Sequence, residues 1–128
     1  MQLPFGKISA VAAGVLAGLI AVAAQAAQPF EAASFQAAQA ANKPIVLHVT
    51  APWCPTCKAQ SPTVQSLEKE KPDLVVYEID FDSKKELLRQ FGVRTQSTLI
   101  VFKGAGEVGR SAGDTDPAKI RALVGKAL

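Results

Sequence analysis

Histidine, tryptophan, tyrosine and methionine occur once each in this chain of 128 residues, cysteine occurs twice, and aromatic residues make up only 6%. One histidine and two cysteines fall short of the four ligands a structural zinc usually takes, which argues against a metal site held by a single chain. No run of Lys or Arg and no stripe of interleaved basic and aromatic residues occurs, so nucleic acid is not an expected partner. The net charge is +3, and the isoelectric point near 9.0 is that small excess amplified by a small protein. The length leaves no room for a second core, and nothing in the composition points to disorder, collagen or a repeat array.

What is present begins with an apolar segment. Lys7 is the only charge before residue 27, and Ile8 to Ala24 is unbroken small and apolar sequence apart from Ser9. Ala24-Gln25-Ala26 supplies the small-x-small pattern of a signal-peptide cleavage site, so residues 1–26 read as a signal peptide cut after Ala26. The alternative is a retained membrane anchor, since the run is near the lower length limit for spanning. Both place the domain, residues 27–128, outside the cytoplasm, in the periplasm or secreted.

The rest alternates helical and strand patterns. Glu31 to Ala41 is Ala-rich, carries Phe30 and Phe35 as its large apolar residues, and is stopped by Asn42-Lys43-Pro44. Ile45 to Thr50 is a β-branched apolar run between prolines, the pattern of a strand buried on both faces. Pro55 to Lys71 predicts a helix with a kink at the interior Pro62, followed by a strand over Leu74 to Asp80. Ser83-Lys84-Lys85-Glu86 reads as a capping box opening a helix through Phe91. Thr98 to Lys103, a Gly-rich loop and Glu107 to Ser111 predict a hairpin, and Asp116-Pro117 an N-cap before a last helix. The expected fold class is α/β: a mixed four-stranded sheet between helices, in the order αβαβαββα. A domain of about 100 residues buries such a core without disulfide staples.

Cys54 and Cys57, in Trp53-Cys54-Pro55-Thr56-Cys57-Lys58, fall where a buried strand gives way to a helix. Unpaired N–H groups and the helix dipole at that point favour a thiolate, which makes Cys54 the expected nucleophile and Cys57, one turn along and more buried, the resolving thiol. Two other uses stay open. A structural disulfide is one, although closing so short a loop adds only about 2 kcal/mol. A metal-holding pair is the other, completed by sharing the ion between two chains that each give Cys54 and Cys57.

The segment Trp53 to Lys58 resembles the active site of the thioredoxin superfamily, where Trp-Cys-x-x-Cys-Lys follows the central strand. Pro62 falls where the family places its helix-kinking proline, and Gly92-Val93-Arg94 with Thr98 to Gly104 is similar to its later strand and hairpin. The resemblance covers about Ala41 to Leu128. It implies a thioredoxin-like three-layer fold and thiol-disulfide exchange with protein thiols and disulfides, without a bound organic cofactor; no metal is expected in a single chain. Trp53, Pro55, Thr56, Gln96 and Ser97 would then line the substrate site. With export, it points to a monomer served by a membrane or periplasmic redox partner.

Two positions depart from the family. His48 stands where the family has a buried Asp, five residues before the active-site Trp; the resemblance implies a proton-relay role for it toward Cys57, and local packing is the other reading. Ser97 stands where the family has a cis-proline before the Thr of the later strand. A cis bond before a non-proline residue costs about 3 kcal/mol, so Gln96-Ser97 is expected to be trans, with Ser97 filling a turn or hydrogen-bonding a sulfur.

Overall fold

The computed structural model describes residues 26–128 together with the isolated Gly14 and Gly18; the segment expected to be a signal peptide, residues 1–26, falls almost wholly outside the described residues. Among the described residues no helix is long and apolar enough to cross a membrane. In chain order the elements are β1 (Gln28–Pro29), α1 (Ala32–Ala40), β2 (Pro44–Thr50), α2 (Pro55–Glu70), β3 (Val75–Asp80), α3 (Lys85–Gln90), β4 (Thr98–Lys103), β5 (Gly106–Ala112) and α4 (Pro117–Gly125).

The sheet has five strands, in the order β1-β3-β2-β4-β5, where four were expected. The addition is β1, parallel to β3 through Gln28 and Pro29, with the Phe30 N–H donating to Glu78 O at 3.0 Å. Two residues carry no periodicity, and proline is tolerated there because β1 is an edge strand. The other pairings make the sheet mixed, as expected: β2 and β3 are parallel, β4 and β5 form an antiparallel hairpin, and β4 lies antiparallel beside β2.

β2 is buried along almost its whole length because both sheet faces are covered. On one face Val46, Val76, Leu99 and Val101 pack against Val64 and Leu67 of α2 and Ile120, Leu123 and Val124 of α4. On the other, Ile45, Leu47, Val49, Tyr77, Ile79 and Ile100 pack against Phe35 of α1 and Leu88 of α3. The few aromatics concentrate on this second face, where Phe30, Phe35, Tyr77, Phe91 and Phe102 meet at ring separations of 5.2–6.2 Å. Asn42, with φ 54°, takes the left-handed position that ends α1, and Asp116 Oδ1 caps α4 by accepting from the Ala118 N–H at 2.9 Å.

The capping box at Ser83 does not form. α3 starts at Lys85 with Lys84 at its N-cap, and the Ser83 hydroxyl donates instead to Asp80 Oδ2 at 2.9 Å. Asp80 Oδ1 also accepts from the Asp82 N–H at 3.0 Å. An ionised carboxylate one turn earlier is the stronger acceptor and draws the hydroxyl away from the helix. Burying the two faces of β2 leaves its C-terminal end, the start of α2 and the β4 approach at one edge of the sandwich, and the site is there.

Candidate active site

Cys54 is the N-cap of α2, in extended backbone, and Pro55 occupies the first helical turn, where a missing N–H costs nothing. The Cys57 N–H donates to Cys54 Sγ at 3.1 Å, so the first sulfur fills the place that a capping oxygen usually takes. The two cysteines form a disulfide, with Cα atoms 5.4 Å apart. Cys57 Sγ also lies 3.8 Å from Val49 O.

The expectation that Cys57 is the more buried of the pair does not hold. Cys54 is 1% exposed and Cys57 2%. Ala51 and Phe81 pack against both, and the Ser97 hydroxyl reaches across them, 3.3 Å from Cys54 Sγ and 3.5 Å from Cys57 Sγ. Helix position alone would leave the first cysteine open; a side chain from the turn before β4 closes it. A cleft of about 390 Å³ opens beside Cys57, between Pro52, Lys58, Glu78 and Asp80.

Ser97 adopts φ +60°, and among the described residues no peptide bond is cis, so Gln96-Ser97 is trans. The serine takes the turn conformation and approaches the sulfurs at once. Its N–H donates to Val49 O at 2.8 Å, and its carbonyl accepts from the Gly113 N–H at 3.0 Å and from Gln60 Nε2 at 2.9 Å.

Gln60 is the residue that sequence reasoning missed. It is fully buried on α2 and uses its whole amide: Nε2 donates to Ser97 O and to Asp114 O, both at 2.9 Å, and Oε1 faces His48 Nε2 at 2.9 Å. Two carbonyl partners fix which end of the amide is nitrogen, and that makes His48 the donor through Nε2–H. A signal for Gln60 existed: Cys57, Gln60, Val64 and Leu67 share one helical stripe, and an amide there must find partners inside.

His48 itself is buried on β2, and burial lowers its pKa below the ordinary 6.5, with the Gln60 hydrogen bond and the charge of Glu78 opposing. It is neutral at pH 7. Its hydrogen bond goes to Gln60, not to a sulfur. Trp53 is 56% exposed and anchored by its Nε1–H to Asp82 Oδ2 at 2.8 Å. Pro55 is exposed, and Thr56 and Gln96 are half-buried; of the five residues expected to meet substrate, Ser97 is the one whose side chain reaches the sulfurs. Among the described residues no three His, Cys, Asp or Glu side chains are gathered as a metal would need.

The model of the thioredoxin family matches residues 26–126. A thioredoxin of Chlamydia muridarum is 34% identical over 82 residues, which are 64% of this chain and 80% of that protein. Thioredoxin Asp f 29 of Aspergillus fumigatus is 35% identical over 82 residues, 62% of this chain and 74% of its own length. Among solved structures, Trxlp from Edwardsiella tarda superposes with a TM-score of 0.74 and 38% identity, over 77% of this chain and 98% of that one.

Proposed function

The chain belongs to the thioredoxin family and is a thiol-disulfide oxidoreductase, and from that premise we propose that it works outside the cytoplasm on the disulfides and thiols of other proteins. The observation that carries the chemistry is Cys54 at the N-cap of α2, its sulfur holding the Cys57 N–H and bonded to Cys57. In the reduced protein the same N–H and the helix dipole stabilise a Cys54 thiolate. That thiolate attacks one sulfur of a partner disulfide; a new S–S bond forms and the partner's other sulfur leaves as a thiolate that takes a proton from water. Cys57 then loses its proton, its thiolate attacks Cys54 Sγ, and the partner's remaining thiolate departs. Two electrons pass to the partner and the disulfide seen here remains.

His48 serves as the relay for the Cys57 proton in this proposal. Nε2 is committed to Gln60, so Nδ1 is the atom that would accept it. His48→Ala then slows exchange and moves its pH dependence, whereas an unchanged profile removes His48 from the mechanism. Trp53, Pro55, Thr56 and Gln96 form the rim against which the partner chain lies. Export rests on the apolar run Ile8 to Ala24 and the Ala24-Gln25-Ala26 site. The working form is a monomer, with electrons exchanged with a membrane or periplasmic redox protein.

One observation favours a second reading. Sulfurs 1% and 2% exposed suit a structural disulfide in a module that docks partners without turnover. The Cys57→Ser variant separates the two, because it cannot resolve a mixed disulfide. An oxidoreductase accumulates partners joined through Cys54 and released by dithiothreitol, and Cys54→Ser traps none. A docking module retains the same partners, non-covalently, in both variants.

A further inference from the structure

Ser97 is held in a conformation that serine rarely adopts, over the atoms that react. A left-handed non-glycine residue costs about 1 kcal/mol or more and persists only where its surroundings over-determine it. Here they do so from three directions: β2 through Val49 O, the segment after β5 through the Gly113 N–H, and α2 through Gln60 Nε2. The result places a hydroxyl 3.3 Å from Cys54 Sγ, and among the described residues that hydroxyl makes no hydrogen bond except to the two sulfurs.

We propose that Ser97 is a catalytic residue, its hydroxyl donating to the Cys54 thiolate, and that Gln60 is the positioning residue that holds it there. The proposal rests on the oxidoreductase reading above and adds to it a thiolate donor and its support. With the Cys57 N–H, the hydroxyl gives Cys54 Sγ a second donor from a different element of the fold. Hydrogen bonds to an ionised acceptor are roughly twice as strong as those to a neutral one, so the hydroxyl favours the thiolate over the disulfide. It therefore holds the dithiol toward its reduced form. Gln60 enters because its carboxamide has no slack: Oε1 is taken by His48, and Nε2 ties the Ser97 carbonyl and the Asp114 carbonyl to one helix position. Without it Ser97 keeps its sequence and loses its aim.

The test is the equilibrium between the full chain and glutathione at pH 7, read as the fraction of Cys54–Cys57 disulfide for wild type, Ser97→Gly, Gln60→Leu and the double variant. Glycine accepts φ +60° without strain, so Ser97→Gly removes the hydroxyl and spares the backbone. Each single variant is expected to shift the equilibrium about fivefold toward the disulfide, the difference between a charged and a neutral hydrogen bond. The double variant is expected to shift it no further than Ser97→Gly alone, because both changes remove one interaction. Urea unfolding of Gln60→Leu provides the contrast: a variant that loses stability while keeping the wild-type equilibrium shows Gln60 to be structural only and overturns its assignment. Ser97→Gly with the wild-type equilibrium overturns the proposal while the oxidoreductase reading stands. A wild-type dithiol that never equilibrates with glutathione overturns both.

Discussion

Glu68 should weaken the fold at neutral pH, and replacing it with methionine should strengthen it. It sits in the last turn of α2, 7% exposed, with Oε1 buried and without a hydrogen-bond partner. An unpaired buried polar atom costs about 1–3 kcal/mol, and a carboxylate at a helix C-terminus also faces the negative end of the dipole. Its pKa is raised above the ordinary 4.5 by burial first and by the neighbouring charge of Glu78 second. Oε2 is not among the buried unpartnered atoms, and solvent reaching it screens the charge, so the low end of that range applies. Methionine keeps the unbranched stem and helix propensity. Glu68→Met should therefore add about 1 kcal/mol at pH 7, or roughly 5 °C in Tm for a domain of this size. The pH dependence has a definite sign. Because the folded carboxyl holds its proton to higher pH than the unfolded one, the penalty is complete above the folded pKa and absent below the unfolded value. The wild type thus catches up with the variant as pH falls from 7 toward 4. Urea unfolding at both pH values measures this, and a variant no more stable at pH 7, or an advantage that fails to shrink in acid, refutes the reasoning.

The other expectations are simpler. Gly104 has φ +57°, and a Cβ there would lie 2.6 Å from Asn42 Oδ1 and 3.3 Å from both Asn42 Cα and Gln39 O; Gly104→Ala should cost about 2 kcal/mol, seen as a fall of about 10 °C in thermal unfolding. As the single histidine, His48 gives one Hε1 signal in a proton NMR titration, which should have its midpoint below 6.5; a midpoint at or above 6.5 contradicts its buried, neutral state. For the same reason stability should fall as pH drops below 6.5, where the unfolded chain takes up a proton that the folded chain refuses, and His48→Phe should lose that part of the slope. Arg121 makes a bidentate pair with Glu70 at 2.7 and 3.0 Å on the surface, so Arg121→Ala should leave the thermal unfolding midpoint almost unchanged, and any difference should shrink in high salt.

The parts of the molecule legible in the sequence are those in which local pattern and tertiary context agree. Cys54 at the start of α2 follows from a strand, a proline and a helical stripe that all lie within one short segment. Asn42 and Asp116 were readable because their roles are met by their own backbone neighbours. What escaped reading depends on residues far apart in the chain. Ser83 looked like a cap until Asp80 competed for its hydroxyl. The closing of Cys54 comes from Ser97, 43 residues away. Gln60 shows only as a polar interruption in a buried stripe, and its partners His48, Ser97 and Asp114 lie on other elements, so only the folded arrangement explains it. β1 is too short to have any period.

The claim on which the account turns is that Cys54 and Cys57 exchange disulfides with proteins. Dithiothreitol-driven reduction of insulin, followed by the turbidity of its separated chains, tests this directly, with wild type compared against Cys54→Ser and Cys57→Ser. The account predicts catalysed turnover by the wild type, abolished in both variants. A wild-type rate no greater than dithiothreitol alone, from protein whose dithiol is shown to be reduced, contradicts it.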